Sequence, residues 1–291
     1  AQALYEMSLS YLQLKDYRNA SKYSTMVLNS VNRNISVGAY AIKSEALVEM
    51  GNADDAIKLL QEGLKKNGDA YLLHFNLALN YYKKKEVDNA LTHVQKAIDM
   101  EKNNSGAFLL YAYLLNDNNL WVQSILAYQM FLLLEPDSGR AKNAFEDMLQ
   151  TMRVKPLSDK PVERSFIQQQ LLRDKKEAAF HPSEIPPLSI EQGLNRNFVY
   201  HAITSTLDSL KKENPNVDIY TSFKEVNKAI ISVLEKENNG DKEGVFWNFY
   251  VPFFSCIAHS DYYATFTRYI SVSYFPESFE WGKNNKKEAE K

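Results

Sequence analysis

The chain has 291 residues, 45% of them hydrophobic and 24% charged, with a net charge of −2. That balance suits two packed domains or one long array, and it lacks the overall basic footprint of a nucleic-acid binder. The single cysteine, Cys256, excludes an internal disulfide, and no apolar run approaches the roughly 20 residues of a membrane-spanning helix.

From residue 1 to residue 138, apolar residues recur three and four apart in paired runs separated by short polar turns. This is the pattern of amphipathic helix hairpins. Residues 70–104 show it best: apolar positions fill 75–82 and 90–100, and KKKEVD divides them. A small residue opens each second helix at Ala20, Ala56, Ala90 and Ser124. A large residue stands near the end of each first helix at Tyr11, Leu47, Tyr81 and Leu115. Both sets are spaced 36, 34 and 34 apart. A fixed period near 34 with two helices per unit predicts a helical solenoid of four units, 1–34, 37–70, 71–104 and 105–138.

In chain order, Lys15-Asp16-Tyr17 turns the first hairpin, and the connection at 31–36 is two residues longer than its counterparts. Gly51 sits where a helix needs a left-handed stop. Asn116-Asp117-Asn118-Asn119 turns the fourth hairpin and is expected to cap the helix that follows, which Pro136 then ends. Residues 139–154 read as a capping helix with Ala144, Phe145, Met148 and Leu149 in a stripe. Five prolines between 155 and 188 mark a connector, with one helical insert at 162–180.

Residues 189–291 read as a helical domain that drops the period. A helix over 189–212, capped by Ser189, presents Leu194, Phe198, His201, Ala202, Ser205 and Leu210. Ser222 to Glu225 forms a capping-box pattern for a helix over 223–236 with Val226, Ile230, Val233 and Leu234 in its stripe. The aromatic-dense run at 243–259, containing Asn248 and Pro252, reads as a buried helix. Ser260-Asp261 caps a last helix at 262–274, and the tail from residue 282 is charged and expected to fray.

The first half resembles the tetratricopeptide repeat (TPR) family. The match is carried by Leu4, Met7, Ser8, Tyr11, Ala20, Ser24 and Val27 in unit one. Tyr40, Ser44, Leu47, Gly51, Ala56, Leu60 and Gly63 carry it in unit two. Units three and four supply His74, Leu77, Ala78, Tyr81, Ala90, Val94 and Ala97, then Phe108, Tyr111, Ala112, Leu115, Ser124, Tyr128 and Pro136. Lys43 and Phe131 depart from the pattern. The resemblance implies an all-α, right-handed α-solenoid that binds proteins or peptides. The run VFWNFYVPFFSCIAHSDYYATFTRYISVSY is similar to tails of bacterial TPR proteins, which implies no activity.

Unit positions four, seven, eight and eleven share one helix face, and positions two, five, nine and twelve share the opposite one. The resemblance implies that the second set lines a concave groove. Its members include Tyr5, Leu9 and Leu12 in unit one and Glu45 in unit two. Unit three adds Leu72, Phe75, Leu79 and Tyr82, and unit four Leu109 and Tyr113. An apolar set on a surface marks a contact. Two occupants fit: an apolar helix or extended peptide of a partner, or the chain's own segment at 166–172. The first makes a non-catalytic binding scaffold. The second makes a structural assembly subunit working through its C-terminal aromatic surface. Tyr5, Leu9, Phe75 and Leu79 stand where a carboxylate clamp would need lysine, asparagine and arginine, so a chaperone C-terminal tail is not an expected ligand.

Enzyme signals are sparse. Cys256 and His259 lie one helical turn apart, with Asp261 near, but the bland reading is a buried thiol beside a helix-end imidazole. His74 takes a packing position. No phosphate loop, nucleophile elbow, cofactor motif or metal-ligand cluster is present in the sequence. The expected partner is a protein or peptide, without nucleic acid, membrane span, metal or cofactor. The compartment is open; removal of a leader upstream of Ala1 would make it exported or periplasmic.

Overall fold

The computed structural model describes residues 1–30, 35–155, 194–238, 240–242 and 244–289. Among these residues all regular structure is helical, and the fold is an all-α repeat array followed by further helices. The chain forms two compact units, Ala1–Leu114 and Leu115–Lys291. The long connection at 31–34, the proline-rich connector with its insert, and the Ser189 cap lie outside the described residues.

The first unit holds α1 (Gln2–Gln13), α2 (Tyr17–Leu28), α3 (Ser36–Glu49), α4 (Ala53–Asn67), α5 (Tyr71–Lys83), α6 (Val87–Met100) and most of α7 (Ser105–Asp117). Each helix packs on the next from α1 to α6, and the first helices also touch one another, α1 on α3 and α3 on α5. That double adjacency is what makes a continuous helical repeat array out of separate hairpins. Small residues allow it. Ala20, Ala39, Ala46, Ala56, Ala78, Ala90 and Ala97 are fully buried at the seams. A Cβ added at Gly63 would lie 3.0 Å from the Tyr40 ring and 3.2 Å from Leu73. Between α3 and α5, Asn80 Nδ2 donates to Ser44 Oγ at 3.1 Å, so the one buried amide on that seam has a partner.

The turns repeat in backbone detail. Lys15, Gly51, Lys85, Asn119 and Arg153 all have φ between 58° and 84°. After each, the next amide donates to the carbonyl of the large residue that closes the first helix. The five pairs are Asp16 to Tyr11, Asn52 to Leu47, Glu86 to Tyr81, Leu120 to Leu115 and Val154 to Leu149, at 2.8–3.0 Å. A left-handed residue other than glycine costs on the order of 1 kcal/mol, so this turn is set by the hairpin and not by local preference. The fifth member closes α9 (Gly139–Thr151), the helix read from sequence as a cap. The Asn-rich turn supplies the left-handed Asn119 as expected, but it does not cap α8 (Trp121–Leu134). Leu120 occupies the cap position and offers no side-chain acceptor.

The second unit contains α8, α9, α10 (Arg196–Glu213), α11 (Ile219–Glu237), α12 (Val251–His259), α13 (Tyr263–Tyr269) and α14 (Pro276–Ala289). Several expectations change here. The cap of α11 is Asp218, whose carboxylate accepts from the Thr221 amide at 2.7 Å and hydroxyl at 2.8 Å; Ser222 lies inside the helix and is buried. An acceptor one turn earlier captured the free amides first. In α10 the buried stripe is Val199 and Ile203, while Phe198 is 58% exposed. The aromatic run is not one buried α-helix. Phe246–Tyr250 forms a wider π-helical turn before α12, just where Pro252 removes the N–H that would bond Asn248. The last expected helix stops at Tyr269, and the charged tail is helical to Ala289.

Candidate binding face and its surroundings

The groove set of the first unit forms one coherent stripe. On α1, Tyr5, Leu9 and Leu12 are half-buried. On α3 the same holds for Gly38, Ala41, Glu45 and Val48, and on α5 for Phe75, Leu79 and Tyr82, with Leu72 41% exposed. Because α3 lies against both α1 and α5, the three stripes run side by side. Leu109 and Tyr113 differ: at 1% and 6% exposure they are core residues and present no open surface.

Part of this stripe serves the array itself. Tyr5, Leu9 and Leu12 pack against a buried cluster of Ala20, Ile42 and Ala46. Tyr5 lies over Gly38 so closely that an added Cβ would sit 2.6 Å from its hydroxyl. Thirty-one residues after Phe75, Gly106 repeats the device more loosely, with 3.8 Å to the Phe75 ring. A position-five aromatic thus covers a position-two glycine on the next first helix. The sequence contains this signal in Gly38 and Gly106, which stand at equivalent repeat positions.

The stripe carries one acid. Burial, and then the neighbouring Glu49 carboxylate, raise the Glu45 carboxyl above its usual range; Lys83 pulls the other way. Lys83 Nζ itself sits 3.8 Å from Glu49 Oε1. Burial first, and the Glu49 carboxylate second, hold the Tyr17 phenol above its ordinary value.

A second polar cluster was not legible in the sequence. His74 is buried, its Nε2–H donating to Asp69 Oδ1 at 3.1 Å and its Nδ1 facing His93 Nδ1 at 2.7 Å. One proton between the two Nδ1 atoms satisfies the pair, and a second would set donor against donor. Burial and the facing His74 push the His93 imidazole down to about 4. His93 also stacks on Tyr81, centroids 5.5 Å apart. Position four of unit three is therefore a hydrogen-bonded relay and not only packing.

Cys256 is exposed, which corrects the buried-thiol reading. The partner of His259 is Glu235 on α11, Nε2 to Oε2 2.8 Å, rather than Asp261. Glu235, Ser255, Cys256 and His259 border a shallow cavity of about 340 Å³. No group of three or more histidine, cysteine or acidic residues placed to hold a metal ion occurs among the described residues. No described helix is long and apolar enough to cross a membrane.

No family model matches the chain, and no curated protein matches it. Among solved structures, one titled MamA AMB-1, in a P212121 crystal form, is similar at 16% identity. The likeness covers 64% of this chain and 97% of that one, with a TM-score of 0.40.

Proposed function

We propose that the chain is a non-catalytic scaffold that binds a protein or peptide across the side-by-side first helices of its repeats. The observation that carries this reading is the apolar stripe of Tyr5, Leu9, Leu12, Leu72, Phe75, Leu79 and Tyr82, left partly open on three adjoining helices. An apolar face of this kind on an otherwise packed unit is a contact surface. In this reading the units 1–34, 37–70, 71–104 and 105–138 form the array. Helix α9 opens a fifth unit, since Leu149 and Arg153 repeat the turn of the other four. Residues 189–291 form the helical domain beyond the connector.

A second reading, an assembly subunit working through its C-terminal aromatics, draws on Phe249 and Phe253. Their rings stack at 5.7 Å, and Phe249 is 49% exposed. Affinity capture from the source cell separates the two readings. A reproducible partner lost with Phe75→Glu and Leu79→Glu but kept with Phe249→Glu supports the first. The reverse result supports the second.

A further inference from the structure

The face described above is apolar except at its middle, and the exception specifies its occupant. Glu45 and Glu49 lie one turn apart on α3, the helix that touches both α1 and α5. Leu9 and Leu12 stand on one neighbour, Leu79 and Tyr82 on the other. Lys83 answers Glu49 from the end of α5. Glu45 accepts no hydrogen bond and forms no ion pair among the described residues, yet it is half-buried. A carboxylate partly withdrawn from water without a direct hydrogen bond or ion pair, offset only by Lys83 acting at a distance, is unfavourable, and a ligand that covers it must answer its charge.

Resting on the scaffold reading, we infer that this face receives a segment of a partner protein carrying a lysine or arginine between apolar side chains, with the cation set against Glu45. A wholly apolar segment would bury Glu45 with only Lys83, which is ion-paired to Glu49, to offset its charge. An acidic segment would bring a third carboxylate to Glu45 and Glu49. A basic residue flanked by leucine-like side chains satisfies both the stripe and the acid, and an arginine could bridge the two carboxylates through separate N–H groups. Burial first and the Glu49 carboxylate second raise the Glu45 carboxyl, with Lys83 opposing them, so a second cation would add to what Lys83 supplies.

The test is selection of a random twelve-residue peptide display library on the immobilised full chain, run in parallel on Glu45→Gln, Leu72→Asp, Phe75→Asp and Glu280→Gln. Wild type should enrich apolar sequences with lysine or arginine at least threefold over the library. Glu45→Gln should keep the apolar preference and lose the basic one. Glu280→Gln, an exposed acid of the second unit, should change nothing. Leu72→Asp, on an exposed position that does not threaten folding, should abolish selection along with Phe75→Asp. Apolar enrichment without basic bias, or a bias that survives Glu45→Gln, overturns the inference and leaves the scaffold reading standing. No enrichment on wild type overturns both. Selected sequences that copy the chain's own 164–176 would make the occupant internal. A dimer in sedimentation that Leu72→Asp dissociates would make it a second copy. Either result overturns the claim of a basic partner segment.

Discussion

Helices α5 and α8 both lie in the periodic stretch of the sequence and have nearly the same length, yet they are buried differently. Helix α5 buries Leu73, His74, Leu77, Ala78 and Tyr81 on one side and leaves Leu72, Phe75, Leu79 and Tyr82 partly open on the other. Helix α8 buries Val122 through Gln129 without a break, then Phe131 and Leu132. A helix apolar all round must be enclosed all round. Within the second unit it packs against α9 and holds a buried amide pair, Gln129 Nε2 donating to Asn227 Oδ1 at 2.6 Å. The first unit instead stacks thin seams of alanine and glycine and keeps a face free. Burial in one unit is dense and mutual; in the other it runs between neighbouring helices and leaves one side half-buried.

The contrast breaks first where burial is densest. Phe145 is fully buried, with ring centroids 5.0 Å from Phe223, 5.2 Å from Tyr274 and 5.6 Å from Phe275. Phe145→Ala should cost about 3–5 kcal/mol in urea unfolding. Leu72→Ala, on the open face, should cost no more than about 0.5 kcal/mol. Equal losses would mean that the face is as enclosed as the core.

Acid comes next. The folded-state value of His93 near 4 lies below the roughly 6.5 of an unfolded histidine. Between those values the unfolded chain binds a proton that the folded chain refuses. Stability is therefore full above about pH 6.5 and falls as pH drops toward 4. Allowing for partial exposure, the loss is about 1–2 kcal/mol. In His93→Gln, whose amide can still meet His74 Nδ1, that part of the pH dependence should vanish. Thermal melts of both proteins at pH 7 and pH 4.5 decide it, and parallel curves would refute the relay.

Much of the first unit was legible because its causes are local and periodic. Tyr11, Leu47, Tyr81 and Leu115 each close a helix before a left-handed residue, and the period carries the packing with it. Leu149 continues the series and Ser158 stands 34 residues after Ser124, but the prolines at 156 and 161 make the fifth turn read as a plain helix end. The half-open stripe followed from helix geometry for units one to three. It failed at Leu109 and Tyr113, because burial there depends on what surrounds a helix and periodicity does not report that. The His74–His93 relay joins residues 19 apart through side-chain directions that no motif encodes. In the second unit, Asp218 outcompeted Ser222 as a cap by being one turn nearer the true start, a difference within the usual uncertainty of helix ends.

The seam of the array gives a smaller effect. Glycine to alanine inside a helix normally gains up to about 1 kcal/mol. At Gly106, where an added Cβ would meet Phe75 at an ordinary 3.8 Å and only the Asn104 side chain at 3.3 Å, that gain should be partly realised. At Gly38, where it would collide with the Tyr5 ring, the sign should reverse, with a loss of about 1–2 kcal/mol. In a Tyr5→Ala background Gly38→Ala should become neutral or favourable, since the colliding group is gone. A cycle without coupling would show that α1 does not lean on α3 as described.

The smallest expected change bears most directly on use. A carboxyl raised in the folded state is one the fold would rather keep protonated, so Glu45 as an anion works against folding at neutral pH and less so in acid. Glu45→Gln should therefore stabilise the chain slightly, by no more than about 1 kcal/mol, and the gain should shrink as pH falls toward the raised carboxyl value. Two calorimetric melts, at pH 7 and pH 4.5, measure it. A stabilising Glu45→Gln would mark a residue that weakens the fold while standing among leucines and tyrosines, as the proposed cationic partner requires. If Glu45→Gln instead destabilises at neutral pH, the acid is a structural member of the α3–α5 seam, and the open stripe is purely apolar in function.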